Sequence, residues 1–114
     1  MKLSEAILLG SIGTLQGTGN TTAYKESPTR CVIGAALFAI GRECSMHDDL
    51  YKPYILLLEI WPWLEEQGYS PKCLWLKNDE GWTRPQIAAW IATIEPWEDP
   101  IVTEAMPCTN VCSY

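Results

Sequence analysis

Trp82-Thr83-Arg84-Pro85-Gln86-Ile87-Ala88-Ala89-Trp90-Ile91-Ala92-Thr93-Ile94-Glu95-Pro96 is the stretch that decides the fold class. Thr83 and Gln86 stand in capping-box spacing, the hydroxyl facing the third amide of a helix and the carboxamide facing back. Trp82 and Ile87 have staple spacing, and Pro85 falls in the first turn, where a missing amide hydrogen costs nothing. Ile87, Trp90, Ile91 and Ile94 recur at i, i+3, i+4 and i+7, and Pro96 stops the run. The spacing predicts a helix over residues 84–95 with one buried face.

The same grammar extends upstream. Leu50, Tyr54, Ile55, Leu56, Leu57, Leu58 and Ile60 make residues 49–60 almost continuously apolar, which predicts a buried helix starting near Pro53. Pro62 would clash with the carbonyl four residues back, so Trp61 marks a break, a short piece follows over 62–67, and Gly68 ends it. Tyr69-Ser70-Pro71 reads as a turn. Ser27-Pro28 pairs an N-cap with a first-turn proline and predicts a helix over 28–40. That helix carries Cys31, Gly34, Ala35, Ala36 and Ala39, small residues that let a neighbour approach its backbone, with Gly41 as its cap; it is expected at the centre of the fold. Ser4 as N-cap, Glu5 in the first turn and the Leu3/Leu8 pair open a first helix that buries Ile7, Leu8 and Ile12 and weakens at Gly10 or Gly13. Residues 13–22, rich in glycine and hydroxyls, read as a connecting loop.

No βαβ alternation, tandem hairpin or long internal repeat is present. An all-α single small domain of four to five short helices is predicted over residues 1–95, with an irregular acidic tail over 96–114 packed on it or mobile. The 114 residues suit one domain, and 47% hydrophobic against 19% charged residues is a globular composition. The net charge of −6 opposes binding to a nucleic-acid polymer. Lys and Arg are absent after Arg84, while Glu95, Glu98, Asp99 and Glu104 contribute −4 of that total. No run reaches the roughly 18 apolar residues of a membrane span, Glu5 interrupts the N-terminal apolar segment too early for a signal sequence, and five cysteines cannot pair completely within one chain. A cytoplasmic protein with reduced thiols is expected.

Leu3-Ser4-Glu5-Ala6-Ile7 with Leu9-Gly10, Cys31-x-x-Gly34-Ala35-Ala36-Leu37, and Leu76-x-Asn78-Asp79-x-Gly81-Trp82-Thr83-x-x-Gln86-Ile87-Ala88-x-Trp90-Ile91 are together similar to motifs of a group of small uncharacterised bacterial and phage helical proteins. The resemblance covers about a third of the chain. It implies a small helical domain from a bacterium, phage or other mobile element, and no activity comes with it. Pro85 stands where those proteins often carry glutamate, and the sequence after Pro96 lies outside the resemblance.

Six tryptophans and five tyrosines exceed what so small a core requires, which points to at least one aromatic binding face. The ligand-binding candidates are Trp75 and Trp82 for stacking, Asn78 and Asp79 for hydrogen bonding, and Arg30 as a counter-charge beside the glycine–threonine loop. For each there is a plainer role: Trp82 as a staple, Trp90 as core, Asn78-Asp79-x-Gly81 as a turn, and the loop as a flexible connector. Cys31 near a helix start, with His47, Asp48 or Asp79, outlines a cysteine hydrolase, although a small buried thiol is the commoner role there. Cys44-x-x-His47 and Cys108-x-x-x-Cys112 have ligand-like spacing for zinc, with Cys73 as a substitute.

These features lead to a non-enzymatic binding protein, homo-oligomeric, that holds a small nucleotide-like ligand or a partner protein on an aromatic surface. In a phage it would antagonise host defence signalling. The alternatives are a zinc-stabilised interaction domain and the cysteine hydrolase. A helix-turn-helix reading fails on Arg84 being the only basic residue of the best-defined helix.

Overall fold

Helix α1 (Leu3–Gly13) packs on α2 (Val32–Ala39) and α6 (Arg84–Ile94), while α3 (Lys52–Ile60) and α5 (Pro71–Asp79) also pack on α2 and on each other, with the short α4 (Trp63–Glu66) against α3. The computed structural model describes residues 1–48 and 51–96. Among them there is no strand, only two isolated parallel bridges, Gln16 to Arg30 and Tyr24 to Cys44. The predicted all-α domain is therefore what the chain forms. The tail expected over 96–114 lies, from residue 97, outside the described residues.

Helix α2 is central, as its small residues predict: it touches α1, α3 and α5 and buries Val32 through Leu37 without a break. The α1–α2 crossing depends on Gly10, because a Cβ there would lie 1.9 Å from the backbone oxygen of Ala35. Leu37, Leu57, Leu64, Leu74, Ile87 and Ile91, all without exposed surface, join Leu3 and Ile7 in one core.

Helix α6 follows its sequence. Gln86 N donates to Thr83 Oγ1 at 3.2 Å and Thr83 N to Gln86 Oε1 at 2.8 Å, the reciprocal capping box. Ile87 and Ile91 are fully buried, Trp90 and Ile94 pack beside them, and the helix ends at the cap Glu95 before Pro96. The break at Trp61 and the one-turn α4 ending before Gly68 also stand as expected.

Two helix starts differ from the expected ones, and in both a first-turn amide is satisfied by a side chain far along the chain. Ser4 does not cap α1; the cap is Lys2, and Ser4 sits buried inside the first turn. Glu95 satisfies that turn, accepting from Ser4 N at 3.2 Å and from Ser4 Oγ, so a carboxylate meets the positive end of the helix. The expected stripe of Ile7, Leu8 and Ile12 is also corrected: Leu3, Ala6, Ile7 and Gly10 face inward, whereas Leu8 and Ile12 face out. Helix α2 begins at Val32, not Pro28, because Arg30 and Cys31 are held extended. Arg30 N donates to Leu15 O at 2.8 Å and Cys31 N to Thr22 O at 3.2 Å. The Cys31 thiol accepts from Gly34 N, and the Val32 amide donates to Asn78 Oδ1 at 3.0 Å.

Helix α5 is an element that the turn signals at Tyr69-Ser70-Pro71 and Asn78-Asp79-x-Gly81 do not predict. Ser70 is its cap, Pro71 its first residue, and Gly81 its terminator. Gly81 has φ +110°, a conformation open to glycine, which lets Gly81 N donate to Asn78 O and Trp82 N to Lys77 O in a Schellman motif.

Candidate functional site

The glycine–threonine loop expected over 13–22 is part of a strap over residues 14–31 that is hydrogen-bonded to the rest of the protein. Gly17 N donates to Arg30 O at 3.0 Å, Gly19 N to Asp79 Oδ1 at 3.2 Å, and Thr22 N to Gly19 O at 3.3 Å, so these amides are spent within the protein. The strap lies close on α2: a Cβ on Gly34 would come within 2.3 Å of Thr22 O.

This arrangement fixes four of the five ligand-binding candidates. Asn78 is fully buried; its Oδ1 also accepts from Gln16 Nε2 at 3.3 Å, and its Nδ2 donates to Gly17 O at 2.8 Å. Asp79 holds the Gly19 amide. Arg30 is buried under the strap, where its Nε pairs with Glu43 at 2.6 Å and its remaining nitrogens donate to the carbonyls of Lys25, Ser27 and Thr29. Trp82 is partly exposed, but Lys77 Nζ lies 4.4 Å from its ring centre and 4.6 Å from that of Trp90. A lysine held between two indoles already takes the cation–π interaction those faces offer. Trp90 in turn meets the edge of Tyr69, with ring centres 5.4 Å apart. Trp61 is buried, donating from Nε1 to Met1 O at 3.0 Å.

Trp75 stands apart from that set. Together with Tyr51, Tyr54, Ile55 and Leu58 from α3 and its cap, and Ser70, Pro71 and Lys72 from the start of α5, it lines a cleft of about 420 Å³. Its wall is predominantly apolar. Tyr54 and Tyr51 stand with ring centres 6.5 Å apart. Burial pushes the Tyr54 phenol up to about 12 from its usual 10. The unfolded chain therefore loses this proton first. Tyr54's contribution to stability is complete below pH 10 and is lost as pH rises from 10 towards 12. An absorbance titration of tyrosinate should show a component ionising near pH 12 in the wild type, and this component should vanish in Tyr54→Phe.

The sequence reading named Trp75 but not its companions. Their signal was present: Tyr51, Tyr54, Ile55 and Leu58 recur at i, i+3, i+4 and i+7, and Pro71 and Trp75 are one helical turn apart. No helix was expected between the turns at Tyr69-Ser70-Pro71 and Asn78-Asp79-x-Gly81, so the second wall of the cleft was invisible in the sequence.

The cysteine and metal candidates end elsewhere. Cys31 and Cys44 are buried, and burial raises both thiols above their ordinary value, opposite to the lowering expected for Cys31 at a helix start. His47 is exposed in the turn after Cys44. Among the described residues no three His, Cys, Asp or Glu side chains gather to hold a metal, and Cys108 and Cys112 lie outside those residues. No helix among the described residues is long and apolar enough to cross a membrane. No family model, curated protein or solved structure matches the chain.

Proposed function

We propose that this chain is a non-enzymatic binding module that holds a flat, ring-bearing small molecule, of the nucleobase or nucleotide class, in the cleft between α3 and α5. The observation that carries the reading is the union of three aromatic side chains, Tyr51, Tyr54 and Trp75, in one cleft of about 420 Å³. That volume is within the range of small-ligand sites, roughly 300 to 1,000 Å³, which are mostly apolar with few polar groups. Aromatic faces stack on ring systems with little regard to substituents. Ser70 and Lys72 on the rim supply a hydroxyl and a positive charge for a polar or anionic substituent. The protonated, buried Cys31 thiol supports a binding role over a hydrolytic one. In the bacterial or phage setting that the motif resemblance implies, such a module would sequester a nucleotide signal from the host's defence.

The test is calorimetric titration with nucleosides and their mono- and diphosphates, against wild type and Trp75→Ala. At least one ligand should bind in the micromolar range, and Trp75→Ala should weaken it by about tenfold or more, as loss of one stacking face requires. Binding that Trp75→Ala leaves untouched, or no binding by any member of the panel, would remove the proposal.

A further inference from the structure

Helix α1 is apolar on both sides. Its inner row packs on α2 and α6, yet Leu8, Leu9 and Ile12 on its outer side are 44%, 48% and 84% exposed. Leu15 just beyond its end is 74% exposed and Phe38 of α2 40%. The Phe38 ring continues this surface, since it lies over Gly13, within 2.8 Å of where a Cβ would stand. A helix with an apolar face on each side is ordinarily covered on each side.

Two observations choose the occupant. With roughly 200 Å² for each large apolar side chain, the five residues expose on the order of 600 Å². Two such faces joined across a two-fold axis bury about 1,200 Å², the lower bound for a stable protein–protein interface. The second is charge. Asp, Glu, Lys and Arg are all absent between Glu5 and Lys25, and again from Cys31 to Gly41, so beyond Glu5 at its N-terminal edge the face is uncharged in a chain of net charge −6. Two copies of an acidic protein repel one another over most of their surfaces, and a neutral apolar patch is where they can meet. A lipid surface is the poorer match, because interfacial helices flank their apolar face with Lys and Arg, and the α1 segment after Lys2 offers neither up to Lys25.

We infer that the outer face of α1, with Leu15 and Phe38, joins two copies of this chain into a symmetric dimer. The inference is independent of the α3–α5 cleft, which lies elsewhere on the fold. Sedimentation equilibrium under reducing conditions, from about 1 to 100 µM, tests it on the full chain. Wild type should approach twice the chain mass of 12.8 kDa, and Ile12→Lys should stay at the single-chain mass with unchanged helical circular dichroism. Leu76→Lys, on the exposed side of α5 and outside the cleft, should dimerise like wild type and serves as the control for added charge. Should Ile12→Lys perturb the helical signal, Leu15→Lys, beyond the helix, gives the same reading. A wild type that remains monomeric, or a dimer indifferent to both α1-face substitutions, overturns the inference. Flotation of monomeric wild type with phosphatidylcholine vesicles would assign the face to lipid and overturn it equally.

Discussion

Gly10→Ala should destabilise the protein by about 3 kcal/mol, lowering the melting temperature by roughly 12 to 20 °C. In an ordinary exposed helix the same change stabilises by about 1 kcal/mol, because alanine loses less backbone freedom on folding. The sign reverses here because the new methyl would stand 1.9 Å from the Ala35 carbonyl oxygen, which belongs to a buried helix and cannot turn aside. The helices must separate, and every contact along the α1–α2 seam is loosened. Gly13→Ala is the internal control. Its methyl would meet only the rim of Phe38, a side chain 40% exposed that can rotate away, so the change should fall within about 1 kcal/mol of zero. Thermal unfolding of both variants decides the matter. Equal effects at the two positions would mean that close helix approach is not what Gly10 provides.

Asn78→Leu should cost a similar amount, about 3 to 4 kcal/mol, although leucine is no larger a burden on the core. The carboxamide accepts from the first amide of α2 and from Gln16, and it donates to the Gly17 carbonyl. Leucine leaves the Val32 N–H and the Gly17 C=O without their partner, each at a desolvation cost of about 1 to 3 kcal/mol. Asn78→Asp dissects the effect. It keeps an acceptor for Val32 but places a carboxylate oxygen against the Gly17 carbonyl at neutral pH. Relative to wild type at each pH, its deficit should shrink on acidification, as the protonated carboxyl again donates. Chemical denaturation at neutral and mildly acidic pH gives both numbers. A leucine variant as stable as wild type would contradict the role assigned to this side chain.

These two residues also show where the sequence was readable. Helix α6 was legible because its signals are local: Thr83 and Gln86 cap each other, and Pro96 follows its end. Helices α1 and α2 were displaced because theirs are not. Glu95 serves Ser4 across 91 residues and Asn78 serves Val32 across 46, distances over which no capping pattern can be recognised. Arg84 repeats the theme: its guanidinium donates to Thr14 Oγ1 and Thr14 O, both at 2.6 Å, and to the carbonyls of Ser11 and Arg30, so it closes the end of α1 from the start of α6. Two Ser-Pro pairs carried identical local information. Ser70-Pro71 opens a helix, whereas Ser27-Pro28 does not, because the tertiary bonds of Arg30 and Cys31 hold that segment extended.

The candidate site was legible in the same partial way. An excess of aromatic residues announced a face, but their number could not say which rings are engaged by the protein itself. Trp61 serves the core, and Trp82 and Trp90 enclose Lys77. Asn78, Asp79 and Arg30, whose chemistry suits a ligand, are consumed in holding the strap to α2 and α5. Trp75 acquires its meaning only beside Tyr51 and Tyr54, from a helix more than a dozen residues earlier.

The central claim, that the α3–α5 cleft receives a ring-bearing ligand, is tested most directly by chemical-shift mapping of the ¹⁵N-labelled protein, including its indole N–H signals, against the tightest-binding nucleoside or nucleotide. The account predicts shifts confined to Tyr51, Tyr54, Ile55, Lys72 and the Trp75 indole, with Trp61, Trp82 and Trp90 unmoved. Shifts centred on Trp82 and Lys77, or spread along the outer face of α1, would contradict it.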